Sequence, residues 1–209
     1  AYEEIRDHLD LHGAALLQER VFGELSAASA VLKARAKVLG TGPAAQVPPT
    51  IIEGAPCSAG LLAGIHAVVA RPSASGSAHV VRWQGSPCGR RVEGTDADYL
   101  GLSAVARLLA PSARFSPESE TRETLLLTDR LLDAEQWSFN HVCRTWFYLD
   151  DILSWYDDFN LARNDVFKSL GLLNGSPQTL IPASTGIRGR NARGHCCTFD
   201  LFATRPLEG

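Results

Sequence analysis

The stretch that most limits this chain runs from Val142 to Gly171, where the spacing of apolar residues changes period across two aspartates. In "VCRTWFYL", alternation puts Val142, Arg144, Trp146 and Tyr148 on one face of a strand, and Cys143, Thr145, Phe147 and Leu149 on the other. After Asp150 and Asp151, the residues Ile152, Tyr156, Phe159, Arg163, Val166, Phe167 and Leu170 recur at helical spacing. Gly171 then ends the helix. A chain that changes from period two to period 3.6 within one turn must combine strand with helix.

The flanking segments extend that pattern. A helix is predicted from Pro117 to about Asp133, with Ser116 as cap, Pro117 in the first position and Glu118 at the positive end of the dipole. Residues 14–39, with Leu16, Leu17, Val21, Leu25, Ala28, Leu32 and Leu39 at helical spacing, predict one long helix or two. Pro43, Pro48 and Pro49 stop any regular structure after it. Residues 61–70 and 78–84 read as a hairpin across "RPSASGS", "GRRVEG" as a turn or short strand, and "DYLGLSAV" as another strand. "GHCCTFDLFATRP" reads as a final strand that Pro206 terminates. The order implies an α+β fold, a mixed sheet with helices packed on one face. An N-terminal helical segment, residues 1–45, is expected ahead of a main domain at 46–209.

Composition narrows the function. With 45% hydrophobic and 21% charged residues, 209 residues suffice to bury a core. A net charge of −3 gives no electrostatic footprint for nucleic acid and no basic stripe for a membrane surface. No apolar run approaches the roughly 20 residues that a membrane span needs. Five cysteines without CxxC spacing argue against a zinc site or a disulfide framework, and fit reduced thiols in the cytoplasm.

Several side chains have the chemistry of a site. Asp200 lies between Phe199 and Leu201 and shares a strand face with Thr198 and Cys196. There it either loses water, which favours the protonated form a general acid needs, or meets solvent or an arginine. Arg144 beside Trp146 and Tyr148 either grips a flat anion against aromatic walls or reaches solvent above a core. Ser184 and Thr185 can donate to a carbonyl or close a turn, and the Arg188, Arg190 and Arg193 loop can receive an acidic group or form a solvated tip. Glu53, after the Pro-Pro break, is a second candidate acid or base, and His195 can shuttle protons near neutral pH.

"RTWFYL", the helix bearing "WY…FN…R…F", and "PASTGI.G", together with "PPTIIEGAPC" and "GLSAV", resemble the chorismatase-like branch of the RidA (YjgF) superfamily, from about Pro48 to Pro206. The resemblance implies a chorismate-mutase-like α+β fold, a homotrimer, no cofactor, and a small aromatic or cyclohexadiene substrate. Two positions depart from the pattern: Ser184 stands where imine deaminases carry a carboxylate-gripping Arg, and Thr198 and Asp200 match the final-strand Glu pair. The resemblance implies three functions. The leading one is an acid–base enzyme of bacterial aromatic secondary metabolism, such as a ring-closing cyclase. The others are a chorismatase with Asp200 in place of Glu, and a non-catalytic Rid-type metabolite-binding protein.

Overall fold

The computed structural model describes residues 1–56, 60–109, 116–175 and 180–207, so Cys57 lies outside the described residues. The chain divides into two compact units, Ala1–Ala104 with the residues from Thr204 on, and Val105–Ala203. The architecture is α+β, with mixed strand pairing in each unit.

The first unit opens with α1 (Tyr2–His12), β1 (Ala15–Gly23), α2 (Ala28–Leu39), a short α3 (Pro43–Gln46), β2 (Thr50–Glu53) and β3 (Leu62–Ala70). β1 lies between a parallel β2 and an antiparallel β3. The antiparallel strands β4 (Ala78–Trp83), β5 (Ser86–Glu93) and β6 (Ala97–Leu102) come next.

Residues 15–23 are therefore a strand where leucine spacing predicts a helix. Nearly all of β1 is buried, including Gln18, Glu19 and Arg20 at 1% exposure or less. Partners distant in sequence satisfy these polar groups: Tyr2 Oη and Arg35 Nε donate to Glu19, and Gln18 Nε2 donates to the Leu102 carbonyl. Tertiary burial here overrides local propensity. The hairpin expected across "RPSASGS" does not form either. β3 pairs with β1, while β4 turns into β5 through Gln84 and Gly85, both at positive φ. A two-residue turn of that hand matches strand twist and captures β4 locally.

The second unit holds α4 (Pro117–Ala134), β7 (Val142–Leu149), α5 (Ile152–Ser169), β8 (Ala183–Arg188) and, as far as Ala203, β9 (Cys197–Pro206). β7 lies between a parallel β8 and an antiparallel β9. Ser116 Oγ accepts from Ser119 N, as a cap should. The helix-facing side of this sheet is aromatic: the Phe147 ring lies 4.9 Å from Phe159 and 4.8 Å from Phe199. α5 kinks at Trp155, whose backbone is non-helical. Trp155 is buried and donates to the Asp150 carbonyl, while Tyr156, which shares the helical spacing, is exposed.

Both units contain the order helix, central strand, helix, parallel strand, antiparallel strand, to which the first adds α3 and β4–β6. The repeat holds to the residue. β1 skips register between Leu16 and Gln18 and β7 between Val142 and Arg144, so Gln18 corresponds to Arg144 and Arg20 to Trp146. Across the parallel pairing, Arg20 faces Thr50 as Trp146 faces Thr185, and Phe22 faces Ile52 as Tyr148 faces Ile187. Gly54 N donates to the Gly23 carbonyl, and Gly189 N donates to the corresponding Leu149 carbonyl, each at 3.0 Å.

Candidate functional site

One face of the second unit's sheet turns away from α4 and α5. Strand alternation and register place Arg144, Trp146 and Tyr148 of β7 on this face, opposite Phe202, Asp200 and Thr198 of β9 and beside Ala183, Thr185 and Ile187 of β8. The face is graded. At one end Arg144 is exposed, Trp146 is intermediate, and Tyr148 and Thr198 are buried at 1% and 3% exposure. Asp200, in register with Trp146, is wholly buried.

Arg144 is fixed from two sides. Its Nη2 donates to Thr185 Oγ1 at 2.7 Å, and its guanidinium carbon lies 5.4 Å from the centre of the Trp146 ring. A flat cation held on an indole with one edge toward solvent is arranged to receive a carboxylate. At the buried end, Thr198 Oγ1 has no hydrogen-bond partner among the described residues. A buried hydroxyl in that state costs free energy unless something supplies the missing bond.

The other predicted residues fall elsewhere. Ser184 is on the opposite, helix-facing side, where its hydroxyl lies 2.8 Å from Thr145 Oγ1. The expected pairing of Ser184 with Thr185 therefore splits across the sheet, because neighbours in a strand point apart. Cys196 and His195 precede β9. Cys196 is half-buried, and burial with the nearby charges of Glu120 and Asp150 pushes its thiol up from the ordinary value. His195 Nδ1 lies 3.7 Å from Glu120 Oε1. Asn191 organises the arginine loop by accepting from Arg193 N and His195 N. Glu53 lies in the first unit, exposed at the end of β2.

Glu120 escaped sequence analysis. It is buried in the first turns of α4, and its Oε1 accepts from Cys197 N, tying the helix to the start of β9. The acidic helix start was visible, but nothing local says which of Glu118 and Glu120 turns inward. A separate cavity of about 430 Å³ opens in the first unit between α1 and β3, lined by Glu4, Ile5, His8, Ile65, Ala67 and Val69 among others. It holds none of the predicted residues. No group of three or more His, Cys, Asp or Glu among the described residues is placed to hold a metal ion. The four cysteines described are free thiols. No described helix is long and apolar enough to cross a membrane.

No protein-family model matches the chain, and no curated protein matches it. Solved structures similar to it include YyfA of Yersinia pestis, from the conserved Rid protein family, at 15% identity, covering 62% of this chain and 100% of that one, with a TM-score of 0.47. Yeast Mmf1 is 12% identical over 62% of this chain and 99% of its own, with a TM-score of 0.45. The YjgF gene product of E. coli is 14% identical over 55% and 85%, with a TM-score of 0.42.

Proposed function

We propose that the β7–β9 face is the substrate-binding surface of a cofactor-independent, RidA-like enzyme that acts by acid–base catalysis on a flat, oxygenated ring carboxylate or its precursor. The observation that carries this reading is the Thr198 hydroxyl, which has no hydrogen-bond partner among the described residues and is buried beside Tyr148 on the same face as Asp200. In this reading Arg144, held by Thr185 and Trp146, grips the substrate carboxylate in bidentate fashion. Trp146 and Tyr148 stack against the ring. Thr198 hydrogen-bonds a ring oxygen, and Asp200 moves the proton. Ring closure fits such a site through loss of a proton at one carbon and gain at a carbonyl oxygen. Chorismate hydrolysis needs Asp200 to protonate the enolpyruvyl methylene, after which water adds and pyruvate leaves. The sequence resemblance further supports a homotrimer, which light scattering of the purified chain tests, and the cysteine pattern supports a cytoplasmic protein.

The experiment is turnover. Purified protein is incubated with chorismate and with aromatic precursors carrying a free carboxylate, and pyruvate and ring products are measured. The reading expects turnover of one of them, with Asp200→Asn lowering kcat by roughly 10²–10⁴-fold and Arg144→Ala acting mainly on KM. Absence of pyruvate removes the chorismatase variant. Saturable binding without any turnover replaces the enzyme with a metabolite-binding protein. If Asp200→Asn leaves kcat unchanged, the assignment of the proton-moving group fails.

A further inference from the structure

The residue-level repeat makes the first unit a source of chemistry that the proposed function does not use. Aligned through the two register skips, Trp146 corresponds to Arg20, Thr185 to Thr50, and Asp200 to His66. The correspondence shows in sequence too: Thr50, Ile52 and Gly54 repeat the spacing of Thr185, Ile187 and Gly189. Thus the strand position that carries a carboxylate in the second unit carries an imidazole in the first.

That imidazole is held in a defined state. Arg20 Nη1 lies 3.2 Å from His66 Nδ1, and its Nη2 donates to Gln18 Oε1 at 3.2 Å. A guanidinium can only donate, so Nδ1 must accept and the ring proton sits on Nε2. Arg20 is 1% exposed, whereas His66 lies on the solvent-accessible strand β3. Burial, and then the Arg20 charge, push His66 below its ordinary value, which favours the neutral ring. The result is an N–H donor on an exposed residue whose other ring nitrogen is pinned by a buried cation. Such a donor can bond an oxygen acceptor without itself giving up a charge.

We infer that His66 is a ligand-binding residue of the first unit, donating from Nε2 to a carboxylate or phenolate oxygen, with Arg20 as its positioning residue. The inference does not require the assignment of Asp200 or Arg144, because Gln18, Arg20 and His66 interact within the first unit.

Nitrogen-15 spectra of the histidine side chains test it, with sodium benzoate as the probe. The expected result is a His66 signal of the Nε2–H tautomer that shifts saturably with benzoate. His66→Ala should weaken that binding by about tenfold, the loss of one neutral hydrogen bond, and His66→Gln, which restores a donor near Nε2, should recover part of it. The Nδ1–H tautomer, or a His66 signal that benzoate leaves in place, overturns the inference. The Arg144 side-chain signal, followed in the same titration, separates the two assignments. A shift at His66 alone keeps this one and counts against the β7–β9 surface, and a shift at Arg144 alone does the reverse.

Discussion

At the helix-facing middle of its central strand the first unit carries Glu19, where the second carries Thr145; one step on, Val21 stands where Phe147 stands. The two copies therefore fasten helices to a sheet by different physics. In the first, the Glu19 carboxylate receives Tyr2 Oη at 2.6 Å from α1 and Arg35 Nε at 2.7 Å from α2. Arg35 also donates to the carbonyls of Ala44, Ala45 and Val47, which pins α3 and the entry to β2. In the second, the ring of Phe147 packs against those of Phe159 and Phe199. An ion pair is directional and fails abruptly when a partner is lost. Interlocked rings tolerate apolar side chains of similar volume, whereas removing one partner of a buried ion pair leaves a stranded charge.

The sharpest way to break this comparison is Arg35→Ala. It strands a buried carboxylate and should cost about 3–5 kcal/mol, measured by urea unfolding. Lysine should fail to restore it, since one ammonium cannot reach Glu19 and three carbonyls together. Phe199→Ala should cost a similar amount, roughly 3–5 kcal/mol, but Phe199→Leu should recover most of it. If Arg35→Lys and Phe199→Leu recover equally, the two interfaces do not differ in kind.

Tyr2→Phe removes one donor to Glu19 and should cost about 1.5–3 kcal/mol. It also changes the alkaline limb: the Tyr2 phenol, buried against Glu19, is held well above its ordinary value. The parent should therefore lose stability at strongly alkaline pH, because the unfolded phenol releases its proton first, and Tyr2→Phe should remove that component.

The smallest expected effect comes from His66. Its folded-state value is depressed, so below about pH 6.5 the unfolded chain binds a proton that the native chain resists. Stability contributed by His66 is then present above that pH and falls as acid is added. His66→Gln should flatten the acid limb of urea midpoint against pH. An unchanged slope between about pH 5 and 7 would show that the ring is not held neutral.

Much of the second unit was legible. β7, α4 and α5 lie within a residue or two of their predicted bounds, because period and caps are local signals and these elements obey them, while β9 begins three residues after the expected start at Gly194. The shared face of Arg144, Trp146, Tyr148, Thr198 and Asp200 was half legible. Alternation sorts each strand, but register between strands decides that Asp200 meets Trp146. Less of the first unit could be read. "LLQERVF" offers leucines at helical spacing around three polar residues, and only Tyr2, Arg35 and Leu102, far away in sequence, make those residues acceptable inside a sheet. Glu120 and His66 were missed for the same reason: nothing in a single exposed-looking Glu or His announces a backbone amide or a buried guanidinium beside it.

The sequence by itself determined the α+β class, the bounds of the strongly periodic elements and the chemistry available on β7 and β9. It also held the Thr-x-Ile-x-Gly spacing that occurs twice. Tertiary structure decided that residues 15–23 are a strand, that Ser184 and Thr185 part company, and that one order of helix and strand occurs in both units. The division has a physical cause. Periodicity and capping are set by neighbours within a turn or two, whereas burial of a charge, choice of strand partner and register depend on groups tens of residues away.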